Sequence, residues 1–141
     1  MNLSRTTEYA LQVMSLMAQD TTRLYRVDDI YNQLKIPYRY LRKLMTSLVR
    51  NEMIVSEQGK LGGYRIIKPL DTISLMDILN VCGDNFITNN CFFGLGDCSQ
   101  QQHCMMHEKW VLIRESTMQV LTNTNLEDIR KNGPLIFGSP K

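Results

Sequence analysis

The chain has 141 residues, 43% of them hydrophobic, with 16 Lys and Arg against 14 Asp and Glu and a formal net charge of +2. That composition allows one compact domain, or a small domain with an appendage, and excludes a chain disordered by composition. No apolar run approaches the roughly 18 residues of a membrane span, and no signal-peptide pattern frames the apolar stretch from Ala10 to Ala18, so the expectation is a cytoplasmic protein with no membrane partner.

The modest net charge hides a gradient. Residues 1–68 hold 11 Lys and Arg against 6 Asp and Glu, whereas residues 69–141 hold 5 against 8. A basic half followed by an acidic half points to a polyanion met by the first half alone; uneven surface charge with no partner is the plainer alternative.

Residues 4–18 read as a first helix, with Ala10, Val13, Met14 and Met17 at helical spacing and Leu11 and Leu16 widening the stripe. A polar stretch from Gln19 to Arg23 ends it. Val27, Ile30, Tyr31 and Leu34 follow the same period in a short second helix, with Asp28 and Asp29 near its positive end. Lys35-Ile36-Pro37 makes a tight break: the residue before a proline is pushed out of helical angles, and the proline can open the next helix.

The third helix is predicted from about Pro37 to Asn51, with Leu41, Leu44, Met45 and Leu48 as its buried stripe. Arg39, Arg42, Lys43, Thr46, Ser47 and Arg50 lie mostly off that stripe. Guanidinium, ammonium and hydroxyl groups on one helix face can pair with base edges or phosphates in a major groove wide enough for a helix. A solvated charged face is the alternative.

Met53–Glu57 and Tyr64–Ile67 are strand candidates, and Gln58-Gly59-Lys60-Leu61-Gly62-Gly63 between them reads as a hairpin tip with Gly62-Gly63 supplying the positive φ of the turn. No phosphate-loop consensus and no strand–loop–helix order surrounds these glycines. Two short helices, a basic third helix and a hairpin make a winged helix-turn-helix: a mainly α fold with a small β wing. The candidate DNA-contacting residues are Tyr38, Arg39, Arg42, Lys43, Ser47, Arg50, Lys60, Tyr64 and Arg65.

Pro69 closes this unit. Ser74 with Asp77 resembles a capping box for a helix to about Val81. The stretch from Cys82 to His103 is rich in Asn, Gly and Gln and lacks periodicity. Trp110, Ile113, Thr117, Val120 and Leu121 then mark a long amphipathic helix, and Asn125 caps a final short one. The expected organisation is residues 1–70 for DNA binding, 71–132 for a linker helix, the cysteine-rich loop and the long helix, and 133–141 as a loosely held tail.

Cys91, Cys98, Cys104 and His107 fall in the spacing C-x6-C-x5-C-x2-H. Reducing conditions disfavour structural disulfides, so these thiols point to metal or redox chemistry. Four thiolate or imidazole donors suit zinc or an iron–sulfur cluster, and the long spacers fit a loop draped over the larger inorganic group. A zinc site or a thiol switch stays open. Cys82, among apolar neighbours at a helix end, reads as a buried small residue. An enzyme with a cysteine nucleophile paired with histidine leaves the basic helix without a purpose.

Ile36-Pro37-Tyr38-Arg39-Tyr40-Leu41-Arg42-Lys43-Leu44, the wing Gly59-Lys60-Leu61-Gly62-Gly63-Tyr64, the opening Tyr9-Ala10-Leu11 and the loop Cys91…Cys98…Cys104-Met105-Met106-His107 resemble the Rrf2 family of bacterial regulators, from about Leu3 to Ile129. The resemblance implies a homodimer paired through the long helix and bound to an inverted-repeat, double-stranded DNA operator. It implies an iron–sulfur cluster, two-iron or four-iron, held by Cys91, Cys98 and Cys104, with His107 as fourth ligand. In other members an acidic first-helix residue reaches over from the partner subunit, and Glu8 occupies that position. Some relatives lack the cluster and sense through a protein partner. Gln58 stands where an arginine usually precedes the wing glycine, and Arg42 where the biogenesis-type regulators carry an acidic residue.

Overall fold

The structure, a computed structural model, describes residues 3–84, 92–93 and 104–133. Helix α1 spans Arg5–Ala18 and starts where the Ser4 hydroxyl accepts the Thr7 N–H at 3.2 Å. Its Ala10, Val13, Met14, Met17 and Ala18 are buried, and it packs on four other helices, making it the hub of the core. Helix α2, Val27–Leu34, begins with the Asp29 carboxylate accepting the Arg26 N–H at 3.1 Å. Lys35 ends it in the left-handed region at φ 55°, its N–H donating to the Tyr31 carbonyl at 2.8 Å. Pro37 then admits helix α3, Tyr38–Arg50, with no side-chain cap.

Strands β1, Val55–Glu57, and β2, Gly63–Arg65, pair antiparallel with Ser56 opposite Tyr64. The strands are shorter than the apolar runs predicted, because Met53, Ile54 and Ile66 turn into the core instead of extending the ladder. Tyr25 adds one rung: its N–H donates to the Tyr64 carbonyl and its carbonyl accepts the Tyr64 N–H in return, both at 2.8 Å. That pairing, invisible in the sequence, ties the wing to the segment before α2.

After a 3-10 turn at Leu70–Thr72 come α4, Leu75–Val81, α5, His107–Asn123, and α6, Leu126–Lys131. Both expected caps form, Ser74 with Asp77 and Asn125 with Asp128. The two caps are themselves bridged, Leu75 N–H to the Thr124 carbonyl at 2.9 Å and Leu126 N–H to the Ile73 carbonyl at 3.0 Å. One hydrophobic core serves both sides of residue 70, joining Ile73, Ile78 and Leu126 to Met14, Leu41 and Leu48. Most of the cysteine-rich loop and the tail beyond Gly133 lie outside the described residues.

The α5 stripe divides. Trp110, Thr117 and Leu121 are half-buried, whereas Ile113 and Val120 are exposed, and no residue of the helix is fully buried within the chain.

Candidate nucleic-acid interface and sensor loop

Helix α3 is fixed from below by Leu41, Leu44, Met45 and Leu48, all buried, each worth about 1.5–3 kcal/mol when removed from water. Its N-terminal end is held from two sides by aromatic edges, Tyr9 against Tyr40 at 5.4 Å and Tyr31 against Tyr38 at 6.0 Å between ring centroids. The outward face carries Tyr38, Arg39, Arg42, Lys43 and Arg50, all exposed, with Ser47 half-covered. Arg42, Lys43, Thr46, Ser47 and Arg50 line a shallow groove along the helix. Among the described residues no ion pair engages Arg39, Arg42, Lys43, Arg50 or Lys60, so this face is a row of uncompensated cations.

The wing is built differently from its sequence reading. Positive φ belongs to Gly59, at 107°, and not to Gly62 or Gly63. Those two are glycines because the backbone comes too close: a Cβ on Gly62 would lie 2.1 Å from the Glu57 carbonyl oxygen, and one on Gly63 2.8 Å from that of Tyr25. The Gly62 N–H donates to the Gly59 carbonyl at 3.0 Å, closing a turn with Lys60 and Leu61 at its corners. Arg65 is not a free cation, since its Nη2 pairs with Glu57 across the hairpin at 2.8 Å and so braces the stem. Tyr64 is half-buried on the rung to Tyr25.

Gly62→Ala is therefore expected to destabilise the fold by about 1–3 kcal/mol, because the clash is with backbone that cannot rotate away. Urea unfolding would read it, and an unchanged midpoint would refute the close approach.

A cleft of about 270 Å³ between the wing and the start of α3 is lined by Arg26, Asp28, Tyr38, Ser56, Gln58 and Tyr64, among others, so wing and α3 open onto one side of the molecule. A second groove, of about 500 Å³, runs between α1 and α3 past Thr6, Arg39, Tyr40, Lys43 and Ser47, with Thr6 and Tyr40 sharing a hydrogen bond at 3.1 Å. Arg26, Thr6 and Tyr40 were not among the sequence candidates. Isolated polar residues at helix starts carry no periodic signal, and only the fold brings them beside α3.

Of the predicted cluster ligands, Cys91 and Cys98 lie outside the described residues. Cys104 is exposed immediately before α5, and His107 is the first residue of that helix, its N–H donating to the Cys104 carbonyl at 3.0 Å. Among the described residues no three metal-ligating side chains gather. Phe92, next in sequence to Cys91, packs edge-on against Trp110 at 5.3 Å, one turn past His107. Cys82 is half-buried at the end of α4; burial pushes its thiol above the usual range, partly offset by a hydrogen bond with Thr7. Glu8 is half-exposed on the first turn of α1, with Arg5 Nη1 at 3.8 Å. The same helix end meets the exit of α4, where the Ser4 N–H donates to Asp84 Oδ2 at 2.8 Å.

Among the described residues no helix is long and apolar enough to cross a membrane. The chain is 27% identical over 134 residues to the HTH-type transcriptional regulator NsrR of Oceanobacillus iheyensis, covering 94% of this chain and 91% of that one. It is 25% identical over 137 residues to the HTH-type transcriptional regulator IscR of Klebsiella pneumoniae, covering 96% and 83%. In three dimensions it resembles CymR, the global cysteine regulator of B. subtilis, with a TM-score of 0.79 at 22% identity over 94% of this chain and 98% of that one. Residues 3–132 match the Rrf2 family, described as an iron-dependent transcriptional regulator. With that match over its winged helix-turn-helix core, the chain belongs to the Rrf2 family of transcriptional regulators and is not an enzyme.

Proposed function

We propose that this regulator binds double-stranded DNA as a homodimer on an inverted repeat, and that an iron–sulfur cluster in its cysteine loop sets the affinity. The DNA reading is carried by the row of cations on α3 beside the wing, which no ion pair engages among the described residues. With α3 in a major groove, Arg39, Arg42, Lys43, Ser47 and Arg50 face base edges and phosphates, and the wing lies along the neighbouring backbone with Lys60 at the flanking minor groove. Tyr38 and Tyr64, on the cleft between them, complete the phosphate-facing wall. Arg65 supports this surface through Glu57 rather than by direct contact. Residues 1–70 then read DNA, and residues 71–132 pair the subunits and sense.

The donor chemistry at the start of α5 fits a cluster. Cys104 offers a thiolate and His107 an imidazole within one helical turn, and the Phe92–Trp110 contact anchors the segment beside Cys91 at the same helix end. Cys91, Cys98 and Cys104 would hold the cluster with His107, or with Glu8 of the partner subunit, as the fourth ligand. Its redox state or loss would supply a signal for oxidants, nitric oxide, iron or cluster supply. Cys82, a thiol kept protonated by burial, is a poor competitor for the metal.

Arg39→Ala, Arg42→Ala and Lys60→Ala test the DNA face. Each lost phosphate contact should lower the slope of log K against log salt by about 0.9, while a base-reading arginine should cost roughly 1–3 kcal/mol and relax preference at one position. Unchanged affinity in all three folded variants would move the docking face elsewhere.

A further inference from the structure

Leu61 is 90% exposed at the wing tip, and neither the turn nor the core accounts for it. The tip is closed by the Gly62 N–H on the Gly59 carbonyl, with Lys60 and Leu61 at the two corners. Lys35 and Glu52 are the non-glycine residues with positive φ among the described residues, so both corners have negative φ. That is a type I turn, in which Gly62 takes the last position where glycine is favoured and nothing calls for an apolar side chain at Leu61. Leu61 is also far in sequence from the exposed apolar residues of α5, Leu112, Ile113, Met118 and Val120, which a second subunit would cover.

The stem below is stiff, held by the Glu57–Arg65 ion pair and by the Tyr25–Tyr64 rung. The tip therefore presents a rigid pair: a cation with no ion-pair partner among the described residues, and beside it a bare leucyl group. Lysine is drawn to the negative potential of a narrow minor groove, and apolar side chains beside such cations wedge against sugars or between base steps.

Resting on the DNA reading above, we infer that Leu61 is a specificity-determining wedge. Steered by Lys60, it enters the minor groove flanking each half-site and favours steps that unstack easily, the pyrimidine–purine steps T-A and C-A. The regulator would thus read sequence at flanking positions where its wing has no base-directed hydrogen bond.

The experiment uses duplexes that the intact wild-type protein enriches from a random-sequence library, with 2-aminopurine then placed at the flanking step. Wild type should select pyrimidine–purine steps at the flanks and raise 2-aminopurine fluorescence on binding. Leu61→Ala should weaken binding about five- to tenfold, the worth of partly covering one leucyl side chain, and lose both the flanking preference and the fluorescence rise. Its salt slope should match wild type because no charge is removed, whereas Lys60→Ala should lower that slope by about 0.9. Leu61→Phe, which keeps an apolar wedge, should retain the flanking preference. Affinity of Leu61→Ala within about twofold of wild type, with the same flanks and the same fluorescence, overturns the wedge and leaves the DNA-binding face standing. A wild-type protein that enriches no duplex overturns both.

Discussion

Sedimentation at micromolar concentration is expected to show the wild-type chain as a dimer and the Ile113→Glu and Val120→Glu variants as monomers. The expectation rests on how α5 divides its apolar residues. Trp110, Thr117 and Leu121 lean on the rest of the chain, but Leu112 is 64% exposed and Val120 63% exposed, with Ile113 exposed on the same outer side. Ile113 and Val120 are seven residues apart and so share a face. A two-fold axis places every substitution in the interface twice. Withdrawing two such side chains forfeits at least about 3 kcal/mol per dimer, roughly a hundredfold in Kd before the facing carboxylates repel each other. Leu121→Asp is a useful contrast: that side chain packs within the chain, so its replacement should lower the unfolding midpoint as well. A wild-type chain that sediments as a monomer throughout would refute pairing through this helix. Because one winged domain reads few base pairs, a monomeric variant should also lose most of its operator affinity while keeping its fold.

The division of α5 shows where reading the sequence ran out. Trp110, Ile113, Thr117, Val120 and Leu121 look like one stripe because apolar residues on two adjacent faces overlap at a period of 3.6. Only packing reveals that part of the stripe faces inward and part outward. Helix α3 was legible for the opposite reason: Leu41, Leu44, Met45 and Leu48 are all inside and its cations all outside, so a single period described it. The caps at Ser74 and Asn125 were legible because a side chain bonding three residues ahead is a local event. Non-local causes left no such mark. The glycines of the wing were visible as glycines, yet the sequence could not distinguish a need for positive φ at Gly59 from a backbone 2.1 Å from an imagined Cβ at Gly62. The pairing of Arg65 with Glu57 depends on strand register, and the cleft that gathers Arg26 with Tyr38 depends on the Tyr25–Tyr64 rung.

Protein purified without oxygen is expected to be coloured and to contain iron and acid-labile sulfide, and a Cys91→Ala, Cys98→Ala, Cys104→Ala triple variant to be colourless. A thiolate neutralises iron charge in a way that alanine cannot, so each of the three single variants should also lose most of the visible absorbance. His107→Ala should lose less, since imidazole is a weaker, protonatable donor and the carboxylate of Glu8 is an alternative. Cys82→Ala should keep the full spectrum, because burial holds that thiol protonated and its contacts are with Thr7 and the core. Zinc or a thiol switch in the same loop would give colourless wild-type protein, so the spectrum separates the readings in one measurement. The consequence for DNA follows from connectivity: Cys104 leads directly into α5, and α5 packs on α4, whose start is bridged to the start of α6. Loss of the cluster would release the N-terminal end of the pairing helix and change the spacing of the two α3 helices. Coupling between such sites amounts to about 1–3 kcal/mol, so cluster-loaded and cluster-free protein should differ roughly five- to 150-fold on one operator at fixed salt. Visible absorbance that survives the triple substitution would refute the ligand assignment. Equal affinities of the two forms would refute the sensor while leaving the cluster in place.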